Sequence, residues 1–265
     1  MRRLAASALL VCCAAAFAAD APAKPKPSPA EALKLLKEGN ARFLAGQSAH
    51  PRSDLERVKL AGQADQADYA YATVIACSDS RVPVERLFDA GVMDLFVIRV
   101  AGNVVDTDEA GSIEYGLAHV KTPVLVVLGH TQCGAVNAVT QAALGHGHAL
   151  ERNIPPLVDN IAPAVARARL RFPALKDAEL VAKGIEENVW QSIEDLFVRS
   201  AAVRKLAKDG TVKIVGAVYD VGSAEIRWLD EAHTAKLLEE AEQNPKRAVE
   251  PMAEPAPKPE AAAKP

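Results

Sequence analysis

The sequence predicts an α/β fold, a central and mostly parallel β-sheet flanked by α-helices, with an N-terminal helical arm. Three observations carry this. Four short runs of apolar and β-branched residues recur with almost no polar interruption, as parallel strands buried on both faces require. Segments long enough for helices, with apolar residues at helical spacing, separate the runs. A capped helical segment stands ahead of the first run.

The chain opens on a different kind of sequence. Arg2 and Arg3 precede a short apolar run, Leu4 to Phe17, and Ala16 and Ala18 supply the small residues of a cleavage site. Residues 1–18 are therefore expected to be a cleaved signal peptide, because the run is short for a membrane span; an N-terminal anchor helix is the competing reading. The protein would then be periplasmic or secreted, with no stable membrane insertion after cleavage. Cys12 and Cys13 would leave with the leader. Residues 19–27 form a Pro/Lys-rich spacer, 28–243 the folded domain, and 244–265 a Pro/Ala-rich tail expected to be extended and mobile.

Within the domain, Ser28 is the expected N-cap of the first helix, with Pro29 at its first position and Glu31 three residues on. Leu33, Leu36, Phe43 and Leu44 give that helix an apolar stripe to pack on a surface outside itself, and the helix is expected to reach across to a partner subunit. The four strand candidates are Ala72 to Ala76, Leu95 to Val100, Pro123 to Leu128 and Val212 to Tyr219. Helices are expected over Ala110 to Val120, Ala135 to Leu144, Pro156 to Leu170 and Ala178 to Lys208. In the last of these Ile185, Val189, Ile193, Leu196 and Phe197 recur at helical spacing. The formal charge is −3 and no basic stripe stands out, so no nucleic-acid partner is predicted.

Ligands in such sheets bind beyond the C-terminal ends of the strands. The first strand runs directly into Cys77-Ser78-Asp79-Ser80-Arg81, and the third into His130-Thr131-Gln132-Cys133-Gly134. Two cysteines, a histidine and an aspartate thus arrive at one edge of the sheet. Two thiolates, an imidazole and a carboxylate or water make a tetrahedral zinc set. An exported chain with two mature cysteines also invites a single disulfide. The joint placement of cysteine, histidine and aspartate favours the metal.

The runs ACSDSRVPVE (Ala76 to Glu85) and GHTQCGAV (Gly129 to Val136) resemble the two zinc motifs of the β-carbonic anhydrases. LFVIRVAGNVV (Leu95 to Val105) and GSIEYGLAHV (Gly111 to Val120) resemble that family too, so the likeness spans about Ser28 to Leu229. The resemblance implies one Zn²⁺ per subunit held by Cys77, His130 and Cys133, with Asp79 either on the metal or paired with Arg81. It implies reversible hydration of carbon dioxide to bicarbonate and a proton by a zinc-bound hydroxide, with Asp79 and Arg81 as the catalytic pair. Two thiolates place more negative charge on zinc than three histidines would, which predicts activity favouring mildly alkaline pH. The Gly134 N–H, at a helix start, suits an anionic substrate oxygen. Family analogy makes Tyr115 a substrate-pocket residue, against the alternative of packing on a helix face. A homodimer or homotetramer is implied as well.

Some features depart from the family pattern or stay open. No tryptophan precedes Cys77, which argues against the bicarbonate inhibition site of one subset. Gln63 and Gln66 are candidates for a pocket donor that another subset uses. His146 and His148 could be a second metal site or a proton shuttle, but their Gly-rich setting suits an exposed loop. The alternative functions are hydrolysis of carbon disulfide or carbonyl sulfide on the same scaffold, or a catalytically silent zinc protein acting as a bicarbonate sensor.

Overall fold

The structure is a computed structural model that describes residues 25–253, so the leader, most of the spacer and the end of the tail lie outside it. Helix α1 (Pro29–Leu44) begins with the expected capping box, Ser28 Oγ accepting from the Glu31 N–H and Glu31 Oε2 accepting from the Ser28 N–H. Its Ala32, Leu33 and Leu36 are buried against Val74, Leu87 and Phe88 of the same chain. The apolar stripe of α1 therefore packs on its own sheet, a surface outside the helix as expected. A short helix α2 (Leu55–Ala61) follows, with no buried residue.

Strand β1 (Ala72–Ala76) is completely buried and leads to a one-turn helix α3 (Val84–Leu87). Strand β2 (Leu95–Arg99) is only half-buried, since it forms one edge of the sheet. Helix α4 (Thr107–Glu114) continues into a π-helical turn over Tyr115–His119, so the expected single helix is two conformations end to end. Strand β3 (Val124–His130) is buried throughout and ends two residues later than expected, carrying the histidine on the strand itself.

Helix α5 (Gly134–Ala143) matches its expected span closely. The next expected helix is split into α6 (Ile154–Asp159) and α7 (Ala162–Arg171). The long one is also split, into α8 (Asp177–Arg199) and α9 (Ala201–Lys208), because Ser200 turns extended and caps the Val203 N–H. Strand β4 (Lys213–Tyr219) is followed by two elements absent from the sequence reading, strand β5 (Ile226–Trp228) and helix α10 (Glu231–Gln243). Beyond α10 the tail is not free at its start: Arg204 donates to the Ala248 carbonyl, and the Ala248 N–H donates to Val198 O at 2.8 Å.

The strand order is β2-β1-β3-β4-β5, with four parallel strands and β5 antiparallel. Alternate residues feed opposite faces. Ile75, Leu125, Val127 and Ile214 meet Val189, Ile193, Leu196 and Phe197 of α8, while Val74, Val126, Leu128 and Val215 meet α1 and α3. Helix α8 lies very close to the sheet. A Cβ on Gly129 would stand 2.7 Å from Val189 Cγ2, and one on Gly216 2.9 Å from Val189 Cγ1. Two glycines on neighbouring strands thus make the seat for one valine. No described helix is long and apolar enough to cross a membrane.

Candidate metal centre

Strands β1 and β3 are parallel neighbours with Ala76 opposite Leu128, so Cys77 and His130 emerge at the same end of the sheet. Cys133 follows three residues later as the N-cap of α5, after Gln132 has turned the backbone left-handed at φ 58°. The ligand atoms of Cys77, His130 and Cys133 all lie within 4.8 Å of one another, and all three residues are buried. No other metal-holding cluster of His, Cys, Asp or Glu occurs among the described residues. Both cysteines are free thiols, in keeping with the metal reading and not the disulfide.

The donor chemistry fits a zinc ion. His130 Nδ1 lies 2.9 Å from the Thr131 carbonyl, so Nδ1 carries the proton and Nε2 keeps its lone pair. That Nε2 is buried with no hydrogen-bond partner in the protein. A buried imidazole lone pair facing two thiols is costly unless something accepts it. The Cys77 thiol is pulled down, first by its neighbour Cys133 and then by His130 and the Gly102 N–H, against its burial. Cys133 is pushed up by Cys77 in turn and by burial. The metal-free pair thus holds one negative charge readily.

Asp79 stands apart from this cluster. Arg81 grips its carboxylate at two points, Nε to Oδ1 at 2.9 Å and Nη2 to Oδ2 at 2.7 Å, and the Arg81 N–H adds a third bond at 2.9 Å. The guanidinium holds the Asp79 carboxyl well below the usual range. Arg81 also donates to the Gln132 carbonyl at 3.1 Å and its side chain at 3.3 Å, tying the first motif loop to the second. Of the two arrangements foreseen for Asp79, the structure has the one paired with Arg81.

Gly134 is the first residue of α5, and a Cβ built on it meets nothing within 4 Å. Gly134 and Gln132 also line an adjoining cavity of about 670 Å³ whose walls do not include Cys77, Asp79 or His130. Tyr115 opens the π-turn and is 51% exposed, its ring 5.3 Å from that of His119 and 6.0 Å from Phe96. His146 and His148 are exposed and outside the metal cluster, as their Gly-rich setting suggested. Gln63 and Gln66 are exposed as well.

Two contributors escaped the sequence reading. Arg99 donates to the carbonyls of Cys77 at 3.2 Å and Asp79 at 2.6 Å, bracing the first motif loop. The Gly102 N–H donates to Cys77 Sγ at 3.2 Å. A strand-terminal arginine and a glycine after it were the available signals.

Comparison with known proteins agrees with this geometry. The sequence profile of the family described as carbonic anhydrase matches residues 72–226. A carbonic anhydrase from Mycolicibacterium smegmatis is 40% identical over 205 residues, 77% of this chain and 95% of that protein. Carbonic anhydrase 2 of Mycobacterium tuberculosis is 38% identical over 206 residues, with the same shares of the two chains. Among solved structures, the β-carbonic anhydrase CafA of Aspergillus fumigatus superposes with a TM-score of 0.61 at 25% identity, covering 81% of this chain and 96% of that one. A chain described as one of two tetrameric β-carbonic anhydrases from Sordaria macrospora gives a TM-score of 0.56 at 25% identity, covering 76% of this chain and 95% of that one. Two motifs at neighbouring strand ends, and relatives aligned along nearly their whole length, lead to one assignment: the chain belongs to the β-class carbonic anhydrases.

Proposed function

We propose that this protein hydrates carbon dioxide reversibly to bicarbonate and a proton, with one zinc ion per subunit held by Cys77, His130 and Cys133. The observation that carries the reading is the convergence of two thiols and an unpartnered imidazole nitrogen, with Asp79 held by Arg81 instead of joining them. Zinc in such a set supplies the Lewis acidity that makes water a nucleophile near neutral pH. The protein does the rest. Asp79, kept ionised by Arg81, accepts a hydrogen bond from the attacking water and aims its lone pair at the carbon. Arg81 keeps the carboxylate from competing for the metal. The Gly134 N–H, at the start of α5, is the donor for the anionic oxygen of the product.

Tyr115, half-exposed with its ring against His119 and Phe96, is proposed as a pocket residue on the family resemblance. A homodimer or homotetramer is supported by the half-buried apolar edge strand β2 and by the tetrameric relatives. The leader at residues 1–18 supports a periplasmic or secreted location; cell fractionation with N-terminal sequencing of the mature chain tests it.

The deciding experiment is stopped-flow carbon dioxide hydration by mature protein across about pH 6.5 to 9, the range around a zinc-water pKa. Zinc-dependent turnover at neutral pH, rising toward alkaline pH, is the expected result. Absence of turnover at every pH with zinc bound would reject the enzyme reading in favour of a silent zinc protein. Turnover of carbon disulfide or carbonyl sulfide alone would reassign the substrate.

A further inference from the structure

Cys77 stands on a connecting segment beyond β1, so its sulfur has to be fixed by groups from elsewhere. One of them is the Gly102 N–H, 3.2 Å from Sγ. Gly102 lies in the turn Ala101–Asn103, where it and Asn103 are both left-handed, at φ 76° and 47°. Consecutive left-handed residues persist only where the surroundings over-determine them. Here they do. From α8, Asn188 Nδ2 donates to the Gly102 carbonyl at 2.7 Å, and Ser192 Oγ shares its one proton between the Asn103 carbonyl and the Asn188 carbonyl of its own helix, each at 2.9 Å. Both side chains are 1% exposed. They stand one helical turn apart, so adjacent rungs of α8 hold adjacent carbonyls of the turn. On its other side the turn is packed tight: a Cβ on Gly102 would lie 2.8 Å from Ile161 Cδ1 and 3.2 Å from Ala135 Cβ.

We infer that Asn188 and Ser192 are positioning residues for the reaction: through the turn they hold, they aim the Gly102 N–H at Cys77 Sγ and set how strongly that thiolate donates to the metal. An N–H···S bond draws charge off the sulfur, and a sulfur that donates less leaves the metal a stronger Lewis acid. This matters most where two thiolates share one ion. The Gly102 N–H that Cys77 receives belongs to a turn held by a side chain 86 residues further along the chain. The inference rests on Cys77 being a metal ligand, and its test separates the two claims.

Cobalt(II) replaces zinc in wild type, Asn188→Ala, Ser192→Ala and a control, Glu187→Gln. Glu187 neighbours Asn188 on α8 but pairs with Arg167 and Arg171, so its loss weakens packing without touching the turn. The two clamp variants are expected to keep one cobalt each, shift the thiolate-to-cobalt charge-transfer band, and lose about 10–100-fold in metal affinity or kcat with KM unchanged. Glu187→Gln should leave the band in place. If Asn188→Ala does not fold, Ser192→Ala, which removes one oxygen, decides alone. A wild-type band that neither clamp variant moves, or that Glu187→Gln moves equally, would overturn the positioning role. Wild type without any thiolate band would overturn the ligand reading, and this inference with it.

Discussion

Arg81 does two jobs with one side chain, gripping the Asp79 carboxylate and bridging to Gln132 on the other motif loop. Its side chain is 46% exposed, so the pair adds little to stability and its value is to place Asp79. Arg81→Ala is therefore expected to lower turnover about 10–100-fold while zinc content and melting temperature barely change. Zinc analysis beside stopped-flow kinetics checks this, and zinc lost together with activity would assign Arg81 a structural role instead. The Cys77, His130 and Cys133 cluster was legible because motif and strand end coincide in the sequence. Gly102 and Asn188 were not, because the link between them joins residues 86 apart and carries no local pattern.

At the scale of elements, α8 holds the sheet, the Ala101–Asn103 turn and a carboxyl out of its ordinary range. Burial pushes Asp195 up to about 6, with neighbouring Glu194 adding to the rise and a hydrogen bond from Gln191 opposing it. A folded-state value above the unfolded one means the native protein binds this proton more tightly. Its stabilising contribution is then complete below about pH 4 and is lost as pH rises through 6. Asp195→Asn, which does not titrate, should stabilise the protein by about 1–2 kcal/mol at pH 8 and by nothing near pH 4. Urea denaturation at the two pH values checks the sign; equal effects at both would discard this account. The buried strands were legible as β-branched runs because both their faces are apolar. Strand β5 was not, having three residues with one exposed. The break between α8 and α9 was also hidden, since the apolar spacing continues through Ser200 while the backbone does not.

For the molecule as a whole, an ion held by Cys77, His130 and Cys133 would tie a strand to two loops. His130 is the last residue of a strand paired along its length with β4, whereas Cys77 and Cys133 lie on the segments leaving β1 and β3. Removal of the ion should leave the histidine in register and release the cysteines. In an oxidising compartment dioxygen can then take two electrons and two protons from the thiols to give a disulfide. Protein stripped by chelator and exposed to air is expected to regain activity only when reductant and zinc are supplied together. Full recovery with zinc alone would show that the thiols stay apart.

Gly134 offers a final consequence. Nothing in the described chain approaches the position where its side chain would begin. The fold therefore places no demand on this glycine, and alanine at the first helical position should stabilise by about 0.4–1 kcal/mol through a less mobile unfolded chain. If Gly134→Ala folds better and works worse, the missing methyl is a clearance kept for the reactants: a bare stretch of wall whose shape only a passing molecule would measure.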